Sequence, residues 1–189
     1  MNMRRISALL LLTGLAAACG ATTTAPSGRF HVTFTSDAPD QCSRPCLTIA
    51  WVDQASVDQG LLRLAIRLQN IPSAGISSVE EVLSGKVPGS FSQSTSTFVF
   101  SKWTPGEFCE RLGKPVRYEV NEIASSICCA TFYSVGFPTP AATDSLSGNG
   151  TVVVLTYQLQ QAGVVDLNPG IGLFDGFRAT PYGAQVRVE

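Results

Sequence analysis

From Arg29 to the C-terminus, apolar and polar side chains alternate with a period of two, the pattern of half-buried β-strands. Phe30, Val32 and Phe34 share one face, with His31, Thr33 and Thr35 opposite. Leu47, Ile49 and Trp51 share another. The clearest run sets Leu62, Leu64, Ile66 and Leu68 against Arg63, Ala65, Arg67 and Gln69. The same rhythm recurs in Ser96–Ser101, Val116–Val120, Cys128–Val135, Thr151–Leu159, Gly163–Leu167 and Ala184–Val188. Turn signals separate these segments: Pro72-Ser73-Ala74-Gly75, Pro88-Gly89, Pro105-Gly106, Gly148-Asn149-Gly150 and Pro169-Gly170. Only Ser78–Leu83 and Gly106–Leu112 read as short helical turns. About nine strands without a long helix predict an all-β fold, an antiparallel sandwich. No internal repeat and no second domain boundary interrupts residues 29–189.

The N-terminus breaks the rhythm. Met1–Ser7 carry Arg4 and Arg5 and no acid, and Ala8–Ala18 are almost wholly apolar. A basic segment before an apolar run too short to span a bilayer is an export signal, expected over residues 1–18. The run ends Leu15-Ala16-Ala17-Ala18-Cys19-Gly20, which resembles the bacterial lipobox. That resemblance implies cleavage before Cys19, lipidation of its thiol and membrane attachment through the lipid chains. Gly20, rather than Asp, resembles the sorting position of lipoproteins sent to an outer membrane. The alternative is ordinary secretory cleavage at an Ala-x-Ala site. Residues 19–28 lack large apolar side chains and read as a flexible tether.

Composition sharpens this picture. Hydrophobic residues make up 44% of the 189 and charged residues 14%, so intrinsic disorder is excluded. The 17 Gly and 11 Pro suit many short strands joined by turns. A formal charge of −1, with no basic run, leaves no electrostatic footprint for nucleic acid.

The chain has six cysteines, and lipidation of Cys19 would leave five in a compartment that permits disulfides. A turn at Ser43-Arg44-Pro45 can bring Cys42 and Cys46 into bonding range. Cys109 can pair with Cys128 or Cys129, but adjacent strand residues face opposite ways, so only one of the two can meet it. The competing expectation is that these three are buried small hydrophobes. Cys-x₃-Cys with a distant Cys-Cys lacks the paired spacing of a zinc site, and no metal or cofactor is expected.

Catalytic motifs are missing. The only histidine, His31, lies on the polar side of the first strand. There is no Gly-x-Ser-x-Gly elbow and no His-Glu-x-x-His. Gly113-Lys114 lacks the rest of a phosphate loop, and Gly170-x-Gly172-x₃-Gly176 misses the dinucleotide spacing. Nothing selects a catalytic pair from Glu80, Glu81, Glu107, Glu110, Glu119 and Glu122. Asp37, Asp40, Asp53 and Asp58 are too scattered for an EF-hand-like calcium loop. The expectation is a protein that is not an enzyme.

Two stretches of the C-terminal half carry a family resemblance. One is Phe98-Val-Phe-Ser-Lys-Trp-Thr-Pro-Gly-Glu-Phe108, a strand running into a Thr-Pro-Gly-acidic-Phe turn. The other is Ser145–Gly163, with a Ser-Gly-x-Gly-Thr turn, an alternating strand and a closing Ala-Gly. Both resemble cohesin domains of the carbohydrate-binding-module-like sandwich superfamily, as does Leu62–Ser73 followed by Gly75. The resemblance spans roughly residues 47–189. It implies a nine-stranded jelly-roll sandwich and a non-catalytic binding role. It also places the strand after Gly75 on a face used for partner binding in cohesins. The family's Tyr-Asp-Pro tripeptide is absent there, where the chain reads Ile76-Ser-Ser-Val-Glu-Glu-Val-Leu-Ser-Gly85.

Two partners follow as expectations, a dockerin-like or other envelope protein, or a polysaccharide. Sugar binding on a sandwich uses exposed aromatic platforms. With 2 Trp and 4 Tyr the supply is thin, which favours protein recognition. Trp51 reads as core, and the candidate exposed aromatics are Trp103, Tyr118 and Tyr133.

Overall fold

The computed structural model describes residues 30–76, 78–86, 97–111, 113, 116–123, 130–136, 146–170, 173–174 and 179–189. Within them the chain forms strands β1 (Val32–Ser36), β2 (Cys46–Trp51), β3 (Leu61–Ile76), β4 (Ser78–Lys86), β5 (Phe98–Pro105), β6 (Arg117–Ile123) and β7 (Ala130–Gly136). They are followed by β8 (Leu146–Leu159), β9 (Gly163–Pro169), β10 (Leu173–Phe174), β11 (Thr180–Pro181) and β12 (Ala184–Val188). Helix α1 (Gln54–Asp58) joins β2 to β3, and α2 (Glu107–Glu110) follows β5.

Two sheets face each other. The larger runs β1-β12-β9-β4-β7-β6, with β10 pairing off β4, and the smaller runs β11-β2-β3-β8-β5. All pairings are antiparallel except the short β11–β2 contact. The alternation read from the sequence decides which side of each strand faces in. Leu62, Leu64, Ile66 and Leu68 are fully buried on β3, opposite Val153, Leu155 and Tyr157 of β8. From the larger sheet Val32, Val79, Leu83, Val165, Leu167, Val186 and Val188 pack into the same core. Each such aliphatic side chain contributes about 1.5–3 kcal/mol when it leaves water, so the two apolar faces hold the layers together.

Four expectations about local structure are corrected. Ser78–Leu83 is strand, not helix. Its apolar spacing fits a helix, but pairing with β7 on one side and β9 on the other sends Val79 and Leu83 inward and Val82 outward. Pro72–Gly75 and Gly148–Gly150 do not end strands. Both lie inside long strands, and register shifts in the β3–β8 ladder absorb them. Helix α1, not foreseen, is started by Asp53. Its carboxylate accepts a hydrogen bond from the Ser56 amide at 2.7 Å and pairs with Arg63 at 3.1 Å. The Ser56 contacts, opposed by desolvation and helped by Arg63, hold the Asp53 carboxyl below its usual value.

The α2 turn is clamped onto β8. Glu107 Oε1 accepts from the Thr151 amide at 2.7 Å, and Arg111 lies over the Phe108 ring at 4.6 Å while donating to the Asn149 carbonyl at 2.9 Å. Desolvation works against the Glu107 charge, but hydrogen bonds from Thr151 and the nearby Arg67 outweigh it, so its carboxyl also sits low. Close approach explains two glycines. A Cβ at Gly106 would run into the Thr151 carbonyl, and one at Gly150 would sit 2.9 Å from Phe108 Cδ2. Gly106→Ala should therefore cost about 1–3 kcal/mol and lower the thermal midpoint by several degrees in a melting experiment. Gly113→Ala, strained at φ 65° but with open space around it, should cost only about 1 kcal/mol. Equal losses in the two variants would contradict the packing account.

Candidate functional site

Among the described side chains, the outer face of the larger sheet carries few large apolar groups. On β9, Val165 and Leu167 point inward, so Val164, Asp166 and Asn168 point out. On β4 the outward residues are Ser78, Val82 and Ser84, and on β6 they are Arg117 and Glu119. On β12, Gln185 and Arg187 continue the face. Pairing lines up Ser84 with Asn168, and Gln185 with Asp166. The Ser84 hydroxyl donates to the Asn168 carbonyl at 3.1 Å, and Gln185 Nε2 donates to Asp166 Oδ1 at 2.9 Å. Arg117 and Glu119 form a loose exposed pair at 4.0 Å, worth little in water. A central half-buried valine among polar and charged side chains has the make-up of a non-obligate protein interface.

The aromatic candidates do not form a platform. Trp103 of β5 stacks on Tyr118 of β6 with centroids 5.1 Å apart and planes at 27°. Both are half-buried against the core. The two strands belong to different sheets, so this stack closes one flank of the sandwich instead of presenting ring faces to a sugar. Tyr133 lies in β7, opposite Val120 and Glu81, and its side chain falls outside the described residues. Phe98 and Phe100 meet Tyr157 edge to face at 5.2 and 5.8 Å inside the smaller sheet. Trp51 packs against the core, as read from the sequence, but its buried Nε1 has no hydrogen-bond partner among the described residues.

The cysteines divide. Cys42 and Cys46 are bonded, with Cα atoms 6.3 Å apart. Cys109 is a free, buried thiol, which corrects the expected pairing. Helix α2 turns its side chain into the core, where the Tyr118 hydroxyl donates to it. Cys128 and Cys129 lie outside the described residues, as does Cys19 with the leader. Burial pushes the Cys109 thiol up, against a smaller opposite effect of the Tyr118 hydrogen bond. Burial, followed by Cys109, raises Tyr118 far above an ordinary phenol. Among the described residues no three His, Cys, Asp or Glu side chains converge as metal ligands.

A polar cleft of about 490 Å³ opens beside the disulfide, where the β1–β2 loop meets the β3 and β8 irregularities. Asn70 is the one non-glycine residue among those described with positive φ, at 56°. Its amide donates to Asn149 Oδ1 at 2.6 Å, and its Nδ2 donates to the Cys42 carbonyl at 3.4 Å. Sequence reading treated the asparagines only as turn residues. Asn149 next to glycines was the signal available, but a partner 79 positions away could not be read from it.

This is a two-sheet antiparallel sandwich with jelly-roll connections. Among solved structures it is similar to the sixth cohesin of Acetivibrio cellulolyticus scaffoldin B, crystallised with a mutant Cel5 dockerin. That similarity has TM-score 0.53 and 11% identity over 74% of this chain and 97% of that one. It is also similar to the cohesin of the Coh-OlpC-Doc435 type I cohesin–dockerin complex from Clostridium thermocellum. There the TM-score is 0.51 and the identity 13%, over 66% of this chain and 83% of that one. The fold is cohesin-like. No protein-family profile and no curated protein matches the chain.

The buried thiol makes stability depend on pH. An acid with a raised folded-state pKa keeps its proton longer in the folded chain, so folding is favoured below the ordinary thiol value. Stability should decline as pH rises through about 8.5 toward the folded value, with a slope of at most about 1.4 kcal/mol per pH unit. Urea midpoints between pH 7 and 9.5 test this, and Cys109→Ala should flatten the decline. Under denaturing, non-reducing alkylation Cys109 should label fully while Cys42 and Cys46 stay protected.

Proposed function

We propose that this protein is a non-catalytic recognition module, held at a membrane by lipid on Cys19, which binds a dockerin-type protein partner. The observation that carries the reading is the position of β4. The strand after Gly75 stands between β7 and β9, at the centre of the larger sheet, with Val82 and Ser84 facing outward. In cohesins, which the sequence resembles, this strand belongs to a partner-binding face. The two fold neighbours were themselves crystallised with dockerins. Polysaccharide binding through aromatic platforms has less support, because Trp103 and Tyr118 are spent on stacking between the sheets.

The missing Tyr-Asp-Pro gives this face its own chemistry. Its described outward groups are small, polar or singly charged, so discrimination between partners would come from hydrogen bonds and charge pairing. Export and lipidation place the module outside the cytoplasm, on an outer membrane, with the tether setting its reach.

Titration of purified type I dockerins against the full chain tests the recognition reading. Val82→Arg should weaken the complex at least tenfold, whereas Lys102→Glu, on the outer side of the other sheet, should leave it unchanged. Absence of binding to any dockerin and to any envelope protein would overturn the reading, as would equal losses in the two variants. The anchor has a separate test. Cys19→Ser should release the chain from the detergent phase with a mass lacking lipid, and an unchanged partition would reject lipidation.

A further inference from the structure

We infer that the polar cleft beside the Cys42–Cys46 disulfide is a saccharide-binding site, separate from the proposed protein-recognition face. Its wall has an unusual composition. Asp40, Gln41, Arg67, Gln69, Asn70 and Asn149 line it together with Cys42, and none of these is aliphatic or aromatic. Its volume of about 490 Å³ lies within the ~300–1,000 Å³ typical of small-ligand sites, and it would admit a short oligosaccharide. Such sites normally gain affinity from apolar walls. Here the wall is mostly polar, so a peptide would find little seat for its apolar side chains. The cleft fits a ligand that is polar on every side.

The hydrogen-bonding capacity points the same way. The lining has four carboxamides, of which Asn70 Nδ2, Gln69 Nε2 and Asn149 Oδ1 each already hold one protein partner. The capacity left is mixed, while Asp40 only accepts and Arg67 only donates. The Arg67 guanidinium and the Asp40 carboxylate make no hydrogen bond among the described residues. Arg67 is felt only as a positive charge by Glu107. Vicinal hydroxyls, which both donate and accept, satisfy such a mixed set. A simple anion would use Arg67 and be repelled by Asp40.

The cleft is also held in shape before any ligand arrives. Asn149 is fixed on its carbonyl by Arg111 at 2.9 Å and on its side chain by the Asn70 amide at 2.6 Å. Gln69, which also lines the cleft, is held by the hydrogen bond from its Nε2 to Thr48 Oγ1 at 3.3 Å. The disulfide ties down the loop that carries Asp40 and Gln41. Asn70 keeps a left-handed backbone to complete the wall. Groups ordered in advance reduce the entropy lost on binding.

The test uses the isotope-labelled full chain in a zwitterionic detergent. Tetrasaccharides of glucose, xylose, mannose and N-acetylglucosamine, and a tetrauronate, are titrated while backbone amide resonances are followed. At least one should move the Asn70 and Asn149 amides in a saturable way. Arg67→Ala and Asp40→Ala, both at exposed positions, should each weaken that binding about tenfold or more with no change in thermal midpoint. Dockerin binding should persist in both variants, so failure here and failure of the recognition reading are distinguishable. Three results would overturn the inference: no saccharide moves those amides, binding survives both substitutions, or a tetrauronate binds in a way that Asp40→Ala strengthens and Arg67→Ala abolishes. The last would show a site for anions.

Discussion

The β3–β8 ladder is the interaction on which the rest depends. Its inner side supplies the unbroken apolar row from Leu62 to Leu68 and its partners Val153, Leu155 and Tyr157. Without that row the larger sheet would have nothing to close against, because its own inward residues are mostly valines and leucines on shorter strands. β2 and β5 join the ladder from either side, and each buries its apolar face only because the two central strands are in register. Shifting β3 by one residue would expose Leu62, Leu64, Ile66 and Leu68 together.

The ladder is regular from Leu61 to Ile66 and irregular beyond, although Leu68, Ile71 and Ile76 still reach the core. Beyond Ile66 the register slips three times, and the irregular part contains Asn70, Pro72, Gly148 and Asn149. This division has consequences for function. The regular part fixes the sandwich, while the irregular part turns backbone and side-chain amides toward solvent at one end. The α2 clamp stabilises that end, through Glu107 on the Thr151 amide and Arg111 on the Asn149 carbonyl. Helix α2 in turn buries Phe108 and Cys109, so the cleft and the core share one support.

The surfaces differ in character. The described side chains on the outer side of the larger sheet are of mixed polarity, which suits a partner that lays down another surface. The cleft is concave and mostly polar, and it suits a ligand that can be surrounded. The aromatic stacks among the described side chains serve neither. Trp103 with Tyr118, and Phe98 and Phe100 with Tyr157, are used inside the sandwich, where edge and stacked contacts add to the area they bury.

By itself the sequence determined the class of fold, because period-two alternation allows one apolar face per strand, and two such faces make a sandwich. It also determined the Cys42–Cys46 bond, since four residues of separation and a proline turn limit where those thiols can go. The Asp53 cap was written in the chain and went unread. Tertiary structure decided the rest. Ser78–Leu83 has helical spacing and became a strand because two neighbouring strands supplied hydrogen bonds that a short helix could not match. Glycine and proline signals at Pro72 and Gly148 mark bulges instead of turns, since the ladder continues past them. Cys109 stays free because α2 turns it into the core toward Tyr118. The outward setting of Val82 and Ser84 and the meeting of Asn70 with Asn149 depend on contacts between distant segments, and local pattern carries no information about those.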